Sequence, residues 1–165
     1  NFEVTSNRFL DRTYKATGVE LETAYRKGIF DLRASATFTD AEISKDAISP
    51  ANEGNTPRRQ AKFIYQFTPA LDFDMARVGL NVVGTTKAYA QDNNALIFPG
   101  YTQVNAFVTV RPLDNLELSL NANNLFNTVG ITEAEEGSIT AGVNNYLRAR
   151  SINGRTISAS VRYSF

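Results

Sequence analysis

The stretch Thr156-Ile157-Ser158-Ala159-Ser160-Val161-Arg162-Tyr163-Ser164-Phe165 alternates between polar and apolar residues without an error. Successive side chains of a β-strand point to opposite faces of a sheet, so a period of two indicates a strand with one polar and one apolar face. A helix would place its apolar residues three and four positions apart, and this stretch does not. It therefore predicts a two-faced β-strand.

The same alternation recurs in six earlier runs, and their β-branched and aromatic residues suit strands. These runs cover residues 19–25, 30–39, 61–68, about 71–90, 103–111 and 116–123. We predict an all-β, antiparallel up-and-down meander of about seven strands. Four apolar residues fall on the polar side as exceptions: Ile64, Met75, Val83 and Phe107.

The breaks between the runs alternate in length. Short turns are predicted at Arg26–Gly28, Thr68–Ala70 and Pro112–Asn115, and long polar segments at about 41–59, 91–100 and 126–154. Short turns at one end and long loops at the other are typical of outer-membrane barrels. Aromatic residues also gather near both ends, as the interfacial belts of such barrels do. Those near the short turns are Tyr25, Phe30, Phe67, Phe73, Tyr163 and Phe165, and those near the long loops are Tyr14, Phe38, Tyr89, Tyr101 and Phe126.

The composition excludes several classes of protein. The chain has neither cysteine nor histidine, which excludes disulfides, thiol-ligated metals and histidine-based catalysis. Its 17 basic and 17 acidic residues cancel, so no charge pattern favours nucleic acid. Its apolar runs, such as Ala95–Phe98, are far shorter than the roughly 20 residues of a transmembrane helix. We predict no enzyme activity, no cofactor and no metal site.

Alternation alone leaves two interpretations open. The sheet is either part of a membrane barrel or a soluble β-sandwich or open barrel that binds a ligand or acts structurally, with the apolar face as its core. The sorting of loops by length, the aromatic belts and Phe165 favour the membrane. Single-chain bacterial barrels have an even number of strands, so seven strands lead us to expect further strands before Asn1.

Four segments carry a resemblance to a known family. They are Ala16-Thr17-Gly18-Val19-Glu20-Leu21-Glu22, Thr37-Phe38-Thr39-Asp40-Ala41-Glu42, the pair Pro99-Gly100-Tyr101-Thr102-Gln103-Val104-Asn105 and Asn123-Asn124-Leu125-Phe126-Asn127, and Gly154-Arg155-Thr156 running on to Phe165. In this order they resemble late strands of the TonB-dependent receptors of Gram-negative outer membranes. One departure is the stretch 55–62, which lacks the Pro-x-His element of many members.

The resemblance implies a barrel of twenty-two strands, of which residues 1–165 would form the C-terminal segment. It also implies an N-terminal plug and a TonB box, neither of which is in this sequence. Such receptors import scarce nutrients of the ferric siderophore, cobalamin or oligosaccharide type, with energy supplied through TonB. Outer-membrane lipid, lipopolysaccharide and the barrel-assembly machinery are the implied partners, and Val161, Tyr163 and Phe165 would form the assembly signal. A passive porin-like channel is a further alternative.

Two groups of residues are candidates for function. The polar side predicts contacts with the plug and the lumen through the charged residues Glu20, Glu22, Arg33, Lys62, Arg77, Arg111, Glu117 and Arg162. The last long loop carries Glu133, Glu135 and Glu136, for which a solvated loop face is favoured over a cation site. Arg148, Arg150 and Arg155 approach the outer rim, where arginine binds phosphate well, although ordinary ion pairs are favoured.

Overall fold

The computed structural model describes residues 2–3, 8–9, 12–134 and 148–165, and its main feature is one seven-stranded antiparallel sheet. The strands are β1 (Arg12–Lys27), β2 (Phe30–Asp46), β3 (Phe63–Asp72), β4 (Ala76–Thr85), β5 (Tyr101–Leu113), β6 (Leu116–Asn123) and β7 (Thr156–Tyr163). Each strand pairs with the next one along the chain. The predicted all-β meander is confirmed.

Smaller elements accompany the sheet. Three two-stranded ribbons pair Phe2–Glu3 with Arg8–Phe9, Ala88–Tyr89 with Ile97–Phe98, and Ile131–Ala134 with Ala149–Ser151. Within the described ranges, the helical structure is one 3-10 turn at Pro50–Asn52. No helix among these residues is long and apolar enough to cross a membrane.

The connections alternate in length as predicted, with one turn misplaced. Gly28 and Ile29 close the first hairpin, and Gly28 takes a φ of 57°, which a residue without Cβ adopts freely. The predicted turn at Thr68–Ala70 is wrong, because β3 continues to Asp72 and reverses at Phe73–Met75. Two backbone hydrogen bonds between Phe73 and Ala76 close that hairpin, at 2.7 and 3.3 Å. Pro69 is accommodated within the strand, opposite Leu32.

The three long connections lie together at the opposite end of the sheet from the hairpins. We call them loop 1 (47–62), loop 2 (86–100) and loop 3 (124–155). Strands β1 and β2 run further toward them than the alternation indicated, so that Arg12 pairs with Asp46. Loops 2 and 3 each contain one of the short ribbons.

The strand register divides the sheet into a polar and an apolar face. One line of paired residues crosses β1 to β5 on the polar face: Glu22, Ser35, Gln66, Val83 and Gln103. On β6, Asn121 lies on the same face opposite Phe107. The apolar face carries Leu21 and Ile157, which are 63% and 68% exposed. In the part of the chain that the structure describes, both faces of the sheet are therefore open, and neither is covered by a second layer.

The apolar exceptions on the polar face have a partial explanation. Phe107 pairs with Gly79, and a Cβ built on Gly79 would lie 2.5 Å from the Phe107 ring. Gly79 thus makes room for the ring. Of the aromatics predicted for the belt near the loops, Phe38 lies on the apolar face, whereas Tyr14 and Tyr101 take polar-face positions. That part of the belt prediction is wrong.

Most of the buried residues lie at the loop end. Within the described ranges, they include Ile43, Asp46, Ala61, Ala90, Phe98, Asn124 and Ala134. Ala90, Phe98 and Ala134 pack together, with Leu96 and Ile131 against them, so that loops 2 and 3 share a small apolar core. The loop end is thus a packed unit rather than a fringe of separate loops.

Candidate functional site

A buried ion triad joins the outer end of β1 to two loops. Arg12 lies between Asp46, at 2.7 Å from Nη2 to Oδ2, and Asp92, at 2.6 Å from Nη1 to Oδ2. The side chains of Arg12, Asp46 and Asp92 are only 10%, 1% and 12% exposed. We call this triad the ion clasp. The three residues are widely separated along the chain, so their meeting depends on the fold of the loops.

Asp46 is held by further hydrogen bonds. Its Oδ1 accepts the backbone N–H groups of Ile48 and Ser49, at 3.2 and 3.0 Å, and its Oδ2 accepts the Asn52 amide. Asp46 is the last residue of β2 and lies at the loop end of the sheet. Burial raises the pKa of Asp46, but these hydrogen bonds and Arg12 outweigh burial and lower its pKa below the ordinary value.

Hydrogen bonds connect loop 1 to loop 2 over a longer stretch. Asn94 accepts the Thr56 N–H at 3.1 Å and donates to the Thr56 carbonyl at 2.7 Å. The Asn55 amide donates to the Asp92 carbonyl, and the Arg58 N–H donates to Asp92 Oδ1, both at 2.9 Å. The Arg59 N–H donates to the carbonyl of Tyr89 at 2.7 Å. Loops 1 and 2 are therefore cross-linked by both backbone and side chains.

Loop 3 joins the other two through Glu133. Its carboxylate lies 3.3 Å from Arg59 of loop 1 and 3.3 Å from Arg150 across its own ribbon. For Arg150 this is the ordinary pairing that the sequence favoured, whereas Glu133, for which a solvated loop face was favoured, is paired with two arginines. Whether Arg150 contacts lipopolysaccharide stays a prediction. Arg148 is exposed beside the ribbon, whereas Glu135 and Glu136 lie outside the described residues. Among the described residues, no group of three or more acidic side chains is placed to hold a metal ion.

Two sequence motifs meet at the base of loop 3. Asn105, from the first motif, accepts the backbone N–H of Asn124, from the second, at 2.9 Å. The Asn124 side chain accepts the Thr128 N–H and donates to the carbonyls of Thr128 and Asn153, at 2.8 to 2.9 Å. Asn124 and Asn127 adopt φ values of 48° and 53°, a region that asparagine tolerates better than most residues. These contacts join the two motifs at the base of loop 3.

The polar face carries ion pairs near the hairpin end. Arg77 lies 2.8 Å from Asp72 and 3.6 Å from Asp31, and Asp31 is only 6% exposed. Arg26 and Arg33 approach the same carboxylates, at 3.3 and 4.0 Å. Sequence reasoning singled out Arg33 and Arg77 but missed Asp31, which follows the first hairpin turn, and Asp72, which precedes the second.

The other predicted polar-face residues are spread along the sheet. Glu20 is within hydrogen-bond distance of Thr37, and Glu22 lines a shallow depression together with Arg33 and Arg77. Arg111 binds Glu117 at 2.9 Å, and Arg162 is the cross-strand neighbour of Glu117. The structure thus places these residues on one face but does not gather them into a single site.

The remaining predicted residues lie elsewhere. Lys62 precedes β3, and its amine pairs with the carboxylate of Asp40. The strand register places Asp40 on the apolar side of β2, the same side as Phe38. Val161, Tyr163 and Phe165 share the apolar side and are exposed, with the rings of Tyr163 and Phe165 5.2 Å apart. Arg155 donates a hydrogen bond to the carbonyl of Leu125. Their roles in assembly and in binding lipopolysaccharide remain predictions.

Comparison with known proteins agrees with this architecture. The profile of the family described as TonB dependent receptor-like, beta-barrel matches residues 2–125. The chain belongs to this family. No curated protein matches the sequence.

Solved structures with the same fold include three bacterial receptors. The siderophore receptor PiuA from Acinetobacter baumannii superposes with a TM-score of 0.80 at 21% identity, over 92% of this chain and 22% of PiuA. The ferric yersiniabactin uptake receptor FyuA from Yersinia pestis gives 0.75 at 18% identity, over 93% and 24%. The ferric preacinetobactin receptor BauA from Acinetobacter baumannii gives 0.75 at 20% identity, over 94% and 23%. The chain thus spans about a quarter or less of these receptors.

Proposed function

We propose that this chain is a section of the barrel wall, with three outer loops, of a TonB-dependent transporter in the outer membrane of a Gram-negative bacterium. The transporter imports a scarce nutrient of the ferric siderophore type with energy supplied through TonB. The named receptors of the same fold support this class of ligand over cobalamin or oligosaccharides. The wall closes into the barrel of twenty-two strands that the family resemblance implies.

One observation carries the proposal: both faces of the sheet are exposed, and they differ in chemistry. Apolar side chains such as Leu21, Ile157 and Val161 cover one face, where hydrocarbon would stabilise them. The other face carries ion pairs and amides, which suit water or a polar plug domain. A soluble sandwich would need a second layer over the apolar face, and no described part of the chain provides one.

The polar face supports the placement of the plug. Asn105 donates to Asn81 at 3.1 Å and Asn81 donates to Thr68 at 2.9 Å, so amides and hydroxyls link three neighbouring strands. Side chains that are already hydrogen-bonded within the wall present little unsatisfied polar surface. A plug that moves across such a surface replaces one set of water-mediated hydrogen bonds by another. This costs less free energy than breaking buried ion pairs.

Labelling of neighbouring residues tests the orientation of the wall. Leu21→Cys and Glu22→Cys point to opposite faces of β1, and the parent chain has no cysteine of its own. In intact outer membranes of cells that make the whole protein, we expect a water-soluble maleimide to label Glu22→Cys and to leave Leu21→Cys unlabelled, because a thiol in hydrocarbon does not form the reactive thiolate. Equal labelling of the two variants would contradict the membrane orientation.

Uptake assays test the transport function. Cells in which this protein is the sole siderophore receptor are supplied with radioactive iron bound to a panel of catecholate, hydroxamate and citrate chelators. We expect uptake of at least one complex, and loss of that uptake when the gene for TonB is deleted. Uptake that persists without TonB would indicate a passive channel instead. Uptake of none of the complexes would contradict the ferric siderophore class.

A further inference from the structure

A recess of about 240 Å³ lies where the polar face meets all three loops. Its floor is formed by Ile64, Val83 and Tyr101 of β3, β4 and β5. Loop 1 contributes Arg59, loop 2 contributes Phe98, and loop 3 contributes Ile131. The recess therefore exists only because the three loops pack onto the sheet together.

The chemistry of the recess differs from that of the rest of the polar face. Ile64 and Val83 are two of the apolar exceptions in the strand alternation, and both lie here. Ile64 is 48% exposed on a face whose other side chains are mostly charged, hydroxyl or amide groups. An apolar group in such a position gains free energy when an apolar ligand covers it.

The walls of the recess are rigidly supported. Arg59 has a φ of 61°, which is uncommon for a residue other than glycine. Such backbone conformations concentrate at functional sites. Its backbone N–H is bound to the Tyr89 carbonyl at 2.7 Å, and its guanidinium pairs with Glu133 at 3.3 Å. Phe98 is held in the apolar core shared by loops 2 and 3. A site formed in advance in this way loses little conformational entropy on binding.

The volume limits the size of the occupant. A dry apolar cavity of about 150 Å³ holds benzene, and pockets for whole drug-sized ligands start at about 300 Å³. The recess at about 240 Å³ lies between these values. It has room for a substituted ring or a short branched chain, but not for a complete metal chelate.

We infer that the recess is a subsite for one uncharged apolar group, an aromatic ring or a short acyl chain, carried by the imported molecule. The inference rests on the proposed function, since it assigns the group to the transported ligand. A plug segment is the competing occupant. The position favours the ligand, because the recess is built from loops at the outer end, whereas the polar surface suited to a plug lies further toward the hairpins.

Photolabelling of the whole purified protein tests the subsite. The probe is an uncharged aryl diazirine with a benzyl alcohol body, and the labelled peptides are mapped by mass spectrometry. We expect labelling of the peptides that contain Ile64, Val83 and Ile131. In Val83→Phe, we expect the new ring to fill the recess. Labelling of these peptides should then fall about tenfold or more, because the probe no longer fits in the apolar recess.

Val78→Phe is the matched control, because Val78 lies on the same strand but on the exposed apolar face. It should leave the labelling of the recess unchanged. Absence of label from the recess in the parent protein, or equal labelling in Val83→Phe, would overturn the inference and indicate that a plug segment or the loops themselves fill the space. Failure of the proposed function would appear separately, as absence of TonB-dependent iron uptake in cells.

Discussion

The sheet and the loop end of this molecule are stabilised in different ways. Strands β1 to β7 pair regularly, yet both faces remain exposed, and among the described residues no second layer packs over apolar side chains such as Leu21. The loop end holds the ion clasp and a small apolar core in which Phe98 is only 5% exposed. The difference indicates that the wall depends on its surroundings for burial, whereas the loops carry a core of their own.

This contrast leads to different expectations for mutations. In the wall, a charge that faces water or a polar plug contributes little, because exposed ion pairs are weak. At the loop end, a buried charge contributes through its pairing, and its loss leaves a partner uncompensated in a dry environment.

The largest effect is expected for Arg12→Ala. The change leaves Asp46 and Asp92 buried without their shared cation, which costs about 3 to 5 kcal/mol for a pair of this kind. We expect hydrogen exchange to accelerate strongly in loops 1 and 2, while the amides of β3 to β6 keep their protection. Lys15→Ala is the control, because Lys15 and its partner Glu42 are 73% and 49% exposed. Equal acceleration in both variants would contradict the clasp.

The next effect is expected for Asn124→Ala. Asn124 is 1% exposed, and its side chain makes three hydrogen bonds that close the base of loop 3. Their loss, with a φ of 48° that alanine disfavours, should destabilise this region by about 2 to 3 kcal/mol. Limited proteolysis within loop 3 should report the change.

Two variants separate the causes of the Asn124 effect. Asn124→Gly removes the hydrogen bonds but tolerates the backbone conformation, so its loss should be smaller than that of Asn124→Ala. Asn123→Ala alters the exposed neighbour and should have little effect. If glycine were as harmful as alanine, the positive φ would contribute nothing and the side-chain bonds alone would explain the stability.

Acidification should give a smaller, reversible effect. The pKa of Asp46 is lowered in the folded state, so its contribution to stability is complete above its unfolded pKa of about 3.9 and is lost as the pH falls through the folded value. We expect exchange in loop 1 to rise below about pH 4 and to recover on neutralisation. In Asp46→Asn, this rise should be absent. A rise that persists in the variant would assign the effect to other carboxylates.

Much of the wall could be predicted from the sequence, because alternation is a local property. The predicted turn at Thr68–Ala70 is an exception, because the strand continues through Pro69 and the hairpin instead forms at Phe73–Met75. The clasp could not be predicted, because Arg12, Asp46 and Asp92 come together only through the packing of two loops. Ile64 and Val83 were noticed as exceptions on the polar face, but the recess that they line appears only in the structure.

The smallest effect is expected for Glu117→Gln in the wall. Glu117 accepts from Arg111 at 2.9 Å, but the two side chains are 32% and 59% exposed, so the pair should contribute about 0 to 1 kcal/mol. Thermal unfolding of the purified protein should therefore be nearly unchanged, and any difference should shrink at high salt because exposed charges are screened. A loss as large as that of Arg12→Ala would mean that the polar face is desolvated in the native protein. The wall and the loop end would then not differ in how their charges are buried, since the wall would hold charges as deeply buried as those of the ion clasp.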